Sequence, residues 1–141
     1  MSKMLINISH TQSYKEYSIS KFQLSGLLRD ELINPDLLWD SYYHYVSLED
    51  WNKIFFDVLK NTPAYTTDKF DCDNFSLLAV ARITERYKLN GCGIAIGDSP
   101  YGYHAWNIFV ASPLEVLYLE PQTGQIIELD DGYKAHYIVW G

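Results

Sequence analysis

Five short β-type runs close the chain, each cut from the next by turn-forming residues, and this spacing is incompatible with an all-helical or a βαβ fold. The runs are Cys92 to Ile96, Tyr103 to Val110, Glu115 to Glu120, Gln125 to Leu129 and Tyr133 to Trp140. Asp98-Ser99-Pro100, Ala111-Ser112-Pro113, Pro121-Gln122-Thr123-Gly124 and Asp130-Asp131-Gly132 stand between them. Connections this short join antiparallel neighbours, because a parallel crossover needs a dozen or more residues. The second half is therefore expected to be an antiparallel meander.

Before residue 90 the periodicity is helical. Leu24, Leu27, Leu28 and Leu32 fall on one stripe, and Trp51, Ile54, Phe55, Val58 and Leu59 on another. The second stripe follows Ser47 and Asp50, an S-x-x-D capping pattern, and stops before Asn61-Thr62-Pro63. A third helix is expected from Cys72, with Asp71 as N-cap and Asn90-Gly91 as the stop. Its run through Phe75, Leu77, Leu78, Ala81 and Tyr87 predicts a central helix packed on several sides. Tyr14 to Ile19 reads as an edge strand. Helices followed by a sheet make an α+β domain, and with no repeat, linker or low-complexity tract the 141 residues are treated as one domain, 1–141.

Charge and cysteine usage narrow the function. The net charge is −7, so a nucleic-acid backbone is repelled, and no apolar window is long enough to span a membrane. Met1 to His10 lacks the basic-then-apolar succession of a secretory signal. Cys72 and Cys92 are the only cysteines, too few for a disulfide framework and without partners at zinc spacing. Two free thiols and no signal predict a soluble, cytoplasmic protein.

Chemistry concentrates in three places. If the hairpin around Ser112 has the three-residue loop Ala111 to Pro113, Val110 faces Leu114 and His104 falls opposite Glu120, with Cβ atoms about 4.5–5.5 Å apart. A carboxylate there orients the imidazole. Cys72 stands in the first turn of a helix, where the backbone amides and the dipole favour a thiolate. The flanking Asp71 and Asp73 oppose that effect. Cys92 reads as core packing, Gly91, Gly93 and Gly97 as turn chemistry, and His10, His44 and His136 as structural or exposed. The cluster Trp39, Tyr42, Tyr43, Tyr45 and Trp51 reads chiefly as helix packing, with a sugar- or peptide-stacking surface as the alternative.

Asp71-Cys72-Asp73-Asn74-Phe75, Tyr103-His104-Ala105-Trp106-Asn107 and Leu119-Glu120-Pro121-Gln122-Thr123-Gly124 together resemble the papain-like and transglutaminase-like cysteine peptidase superfamily over residues 65–130. The nearest likenesses are the C-terminal peptidase domain of a chimeric mushroom lectin and the bacterial transglutaminase-like cysteine proteinases. The resemblance implies a papain-like fold with a central helix packed on the C-terminal sheet. It also implies a thiol hydrolase acting on the amide bonds of a peptide or protein substrate, with Cys72 as nucleophile, His104 as general base and Glu120 as orienting acid. Release to water makes a peptidase or amidase, and release to an amine a transglutaminase. Calcium enters through the same resemblance, with Asp71, Asp73, Asn74 and Gln122 as oxygen ligands. Papain-like enzymes place an oxyanion glutamine shortly before the cysteine, and Tyr65 to Phe70 holds none. That departure favours the alternative, a catalytically impaired module that binds a peptide or glycan in its aromatic groove; an assembly protein in which Cys72 merely packs is a further rival.

Overall fold

The computed structural model describes residues 14–141. Met1 to His10, including His10, lies outside the described residues. The chain runs β1 (Tyr17–Ser20), α1 (Lys21–Asp30), β2 (Tyr42–Tyr45), α2 (Leu48–Val58), α3 (Cys72–Tyr87), then β3 (Cys92–Ser99), β4 (Gly102–Ala111), β5 (Glu115–Glu120), β6 (Gln125–Ile127) and β7 (Lys134–Val139). β1 and β2 form a two-stranded antiparallel sheet, and the other five form a second antiparallel sheet in the order β6-β5-β4-β3-β7. Among the described residues seven strands stand against three helices, so the expected α+β fold, N-terminal helices packed on a C-terminal antiparallel sheet, is corrected to an antiparallel-sheet domain with few helices. No helix among the described residues is long and apolar enough to cross a membrane.

Three departures from the expected pattern have local causes. Tyr42–Tyr45, assigned to helix packing from the sequence, is a strand paired with Tyr17–Ser20, as its four consecutive ring-bearing residues favour. Leu32 does not share the α1 stripe: the helix ends at Asp30, and Leu32 sits at φ 60°, almost fully exposed. The expected packing of α3 on several sides holds in part: it contacts β3, β4 and α2. Phe75, Ser76, Ala79 and Ile83 face inward onto β3 and β4, while Leu77 is exposed and the helix ends at Lys88 in the left-handed region, before Asn90.

Local capping explains the helix starts. Ser47 Oγ accepts from the Asp50 N–H at 3.1 Å. At α3 the Asn74 side chain reaches back to the Asp71 N–H at 3.1 Å, while the Asp71 carboxylate accepts from Asp68 N–H at 2.9 Å. Each satisfied terminal amide is worth about 0.5–2 kcal/mol to the helix.

The sheet is buried through its centre, every residue from Ala105 to Ala111 of β4 being buried. Trp51, Trp106 and Trp140 are wholly enclosed; Trp51 donates to Val110 O at 2.8 Å and Trp140 to Asn90 O at 2.9 Å. Burying a large apolar side chain contributes roughly 1.5–3 kcal/mol, and these rings anchor the helices and the chain's end to the sheet. Gly93 and Gly97 are strand residues and not the expected turn. A Cβ on Gly93 would lie 2.7 Å from the Trp140 ring, and one on Gly97 2.0 Å from Lys134 O, beside the register shift between β3 and β7. Both glycines let a neighbour approach the strand.

The meander holds only from β3 to β6. β7 pairs with β3, so the segment after β6 crosses the end of the sheet to reach the far edge. This crossing carries Tyr133 to the ends of β4 and β5, where its ring contacts those of His104, Trp106 and Tyr118.

Candidate functional site

The β4–β5 register differs by two residues from expectation. Ala111 pairs with Glu115 and Asn107 with Leu119, so the loop is Ser112-Pro113-Leu114. A shift of two keeps every side chain on its face, because strand residues alternate sides with a period of two. His104 and Glu120 thus become diagonal neighbours, and their side chains still meet: His104 Nε2 and Glu120 Oε1 share a hydrogen bond of 2.5 Å. Both side chains are largely shielded from solvent, 12% and 8% exposed.

Glu120 gathers more than the imidazole. Tyr133 OH donates to Oε1 at 3.3 Å, and Gln122 N–H donates to Oε2 at 3.3 Å. Its backbone carbonyl accepts from Thr123 N–H and Gly124 N–H at 3.3 and 2.8 Å. One residue therefore fixes the histidine, the crossing segment and the β5–β6 turn. Burial, with the charge and hydrogen bond of Glu120 behind it, pushes the Tyr133 phenol up to about 12.

Around this pair opens a cavity of about 650 Å³ lined by Tyr65, Tyr101, Tyr103 and Tyr133 together with Cys72, His104, Glu120, Gln122, Thr123 and Gln125. All three residues singled out from the sequence line it. They are not all bonded: among the described residues no hydrogen bond joins Cys72 Sγ to His104, whose Nε2 is engaged by Glu120. Cys72 is partly exposed, whereas Cys92 is buried and its thiol is pushed far up by desolvation. The four tyrosines are what sequence reasoning missed. Tyr101 and Tyr103 flank Gly102, the first residue of β4, at φ 103°, and are largely exposed; large rings beside a glycine next to a turn are the available signal.

The stacking cluster does not survive intact. Trp39 and Tyr42 are exposed, but Tyr43, Tyr45 and Trp51 are core. His44 and His136 each meet an acid, Glu16 at 3.3 Å and Asp98 at 3.1 Å. Of the oxygen ligands expected for calcium, two stand together at the start of α3. Asp71 and Asp73 lie with Cys72 so that one ligand atom of each is within 4.8 Å of the others. The two carboxyl groups hydrogen-bond each other, which holds Asp71 below the usual range and lifts Asp73 above it.

With this geometry in place, comparison with known proteins decides the family. The model of the Ricin-type beta-trefoil lectin C-terminal domain matches residues 2–140. The chain belongs to that family. Two solved structures resemble this lectin C-terminal domain. One, a PSL1a–E64 complex, is 25% identical with a TM-score of 0.66, over 86% of this chain and 51% of that chain. The other is the Polyporus squamosus lectin bound to a human-type influenza-binding epitope, Neu5Aca2-6Galb1-4GlcNAc, 27% identical with a TM-score of 0.68, over 86% of this chain and 49% of that chain. The chain spans about half the length of the solved structures it matches. No curated protein matches it.

These findings correct the papain-like and transglutaminase-like assignment. The three motifs that carried the resemblance are present, but the family that matches is a lectin family and one of the solved likenesses is a lectin. The cysteine peptidase activity and the peptide or protein substrate are withdrawn with it. Short motifs of Cys, His and Glu mislead here because each residue type also serves hydrogen bonding, and the motifs do not encode what occupies the groove.

Proposed function

We propose that this lectin C-terminal domain binds a glycan in the tyrosine-lined groove around His104 and Glu120. The observation that carries the reading is the groove's chemistry: four phenol rings surround a carboxylate, an imidazole and the side chains of Gln122, Thr123 and Gln125. Sugars present apolar C–H faces and pairs of vicinal hydroxyls. Rings with a polar edge suit the first, and carboxylate and amide groups that accept or donate two bonds suit the second. The volume lies within the roughly 300–1,000 Å³ of small-ligand clefts. Cys72, His104 and Glu120 are then ligand-contacting residues. A lectin relative bound to a sialylated trisaccharide supports a carbohydrate partner.

Titration calorimetry with Galβ1-4GlcNAc tests the reading. Binding by the folded wild type, weakened about three- to tenfold in Tyr103→Ala by loss of one stacking ring, supports it. E64 provides a second arm, because a compound held by one solved relative competes with the sugar if both use this groove. A folded wild type that binds no glycan overturns the reading.

A further inference from the structure

The outer side of β5 is only half covered. β6 pairs with Tyr118, Leu119 and Glu120. Glu115, Val116 and Leu117 pair with Ala111, Val110 and Phe109 of β4, and among the described residues no strand lies on their other side. β6 ends at Ile127, and the chain leaves the sheet through a turn in which Asp131 N–H donates to Glu128 O at 3.2 Å. The place of a continuing strand is therefore open. Such a stretch of edge is a template for another strand, because its outward amides and carbonyls lack a strand partner.

A cleft of about 400 Å³ lies against this edge, at the opposite end of β5 from Glu120. Leu27 of α1, Val116 of β5 and Leu129 of the turn give it an apolar floor. Its rim carries four exposed carboxylates, Glu31, Glu115, Glu128 and Asp130, and no lysine or arginine lines it. Among the described residues none of the four makes an ion pair. In a chain of net charge −7 they repel one another and attract cations. A second copy of the chain presenting the same face would bring four more carboxylates to the contact, which argues against it as the occupant.

We infer that this notch accepts an extended segment of a partner protein in which apolar side chains alternate with lysine or arginine. The segment adds to β5 in line with β6 and hydrogen-bonds the main chain of residues 115–117. Side chains of a strand alternate between its faces, so Val116 and Glu115 point to opposite sides. The apolar residues of the segment pack beside Val116 and Leu27, and its cationic residues meet Glu115 and Glu128. Main-chain bonds supply the attachment, and the alternation supplies the selectivity. This surface is separate from the tyrosine groove, and the inference does not depend on what that groove binds.

The probe is a fluorescein-labelled peptide, Ser-Lys-Val-Lys-Leu-Lys-Ser, followed by anisotropy. One control replaces its lysines with glutamates. The other is N-methylated at the three central residues, which keeps every charge and side chain and removes the amide donors. Both are run on wild type and on the double variant Glu115→Gln, Glu128→Gln, with circular dichroism confirming the fold. The expected result is binding of the lysine peptide, no binding of the glutamate peptide, and about a tenfold loss on N-methylation or in the double variant. Hydrogen exchange should slow at amides within residues 115–117 when the lysine peptide is bound. A folded wild type that ignores the lysine peptide overturns the inference, and so does unchanged affinity in the double variant. Equal binding of the N-methylated peptide reduces the surface to diffuse attraction of cations and overturns strand addition. Dimers in sedimentation whose residues 115–117 are protected without peptide assign the edge to a second copy, which also overturns it.

Discussion

Tyr133 donates its hydroxyl to the Glu120 oxygen that also holds His104, although Tyr133 arrives from a segment that has just crossed the end of the sheet. The Glu120 side chain is 8% exposed, so its partners do not exchange freely with water. Removing it strands a phenol and an imidazole, at roughly 1–3 kcal/mol for each buried donor left unpaired. Glu120→Ala is therefore expected to lower the urea midpoint clearly, and Glu120→Gln less, since an amide oxygen still accepts. Equal midpoints for Glu120→Ala and wild type would show that Glu120 holds nothing together.

Alkaline stability follows from the same tyrosine. Burial pushes Tyr133 and Tyr118 up to about 12, against about 10 in an unfolded chain. Between those values the unfolded state has released protons that the folded state keeps, so stability is full below about pH 10 and falls as pH rises toward 12. Urea titrations across that window should show the decline, and Tyr133→Phe should flatten it. A Tyr133→Phe slope equal to wild type would place the titrating phenol elsewhere.

How much of this was legible depended on which property the residues encoded. Ser47 and the Trp51-Ile54-Phe55-Val58 stripe mark α2 because cap and periodicity agree, and Glu115–Glu120 matches its strand to the residue because turns bracket it. The His104–Glu120 meeting was legible despite a register wrong by two, since only parity had to be right. What the sequence does not carry is non-local. Nothing in Tyr133–Trp140 says that its strand joins β3 and not β6, so the tyrosine that completes the site was invisible. Tyr42–Tyr45 and Leu77 show the same limit: ring content and apolarity do not reveal which face the tertiary fold covers. The motif at Cys72 is local and real, yet the groove it lines is walled by tyrosines brought from three other segments.

The two thiols differ enough to be told apart chemically. Cys72 lines the groove and is partly exposed, while Cys92 is buried in β3. Iodoacetamide on the native protein should add one carbamidomethyl group, at Cys72, and a second only on unfolding. Peptide mass mapping checks this. Because the added group occupies groove volume, the modified protein should also bind Galβ1-4GlcNAc more weakly; undiminished binding after full Cys72 labelling would move the sugar away from that wall.

Arg82 ties α3 to the end of α2. Its guanidinium reaches three carbonyls at the end of α2, which an ammonium cannot match because it lacks the planar fork. Arg82→Lys is thus expected to lose nearly as much as Arg82→Ala, about 1–2 kcal/mol in urea unfolding. Equal urea midpoints for Arg82→Lys and wild type would show that a single ammonium serves these carbonyls as well as the fork does.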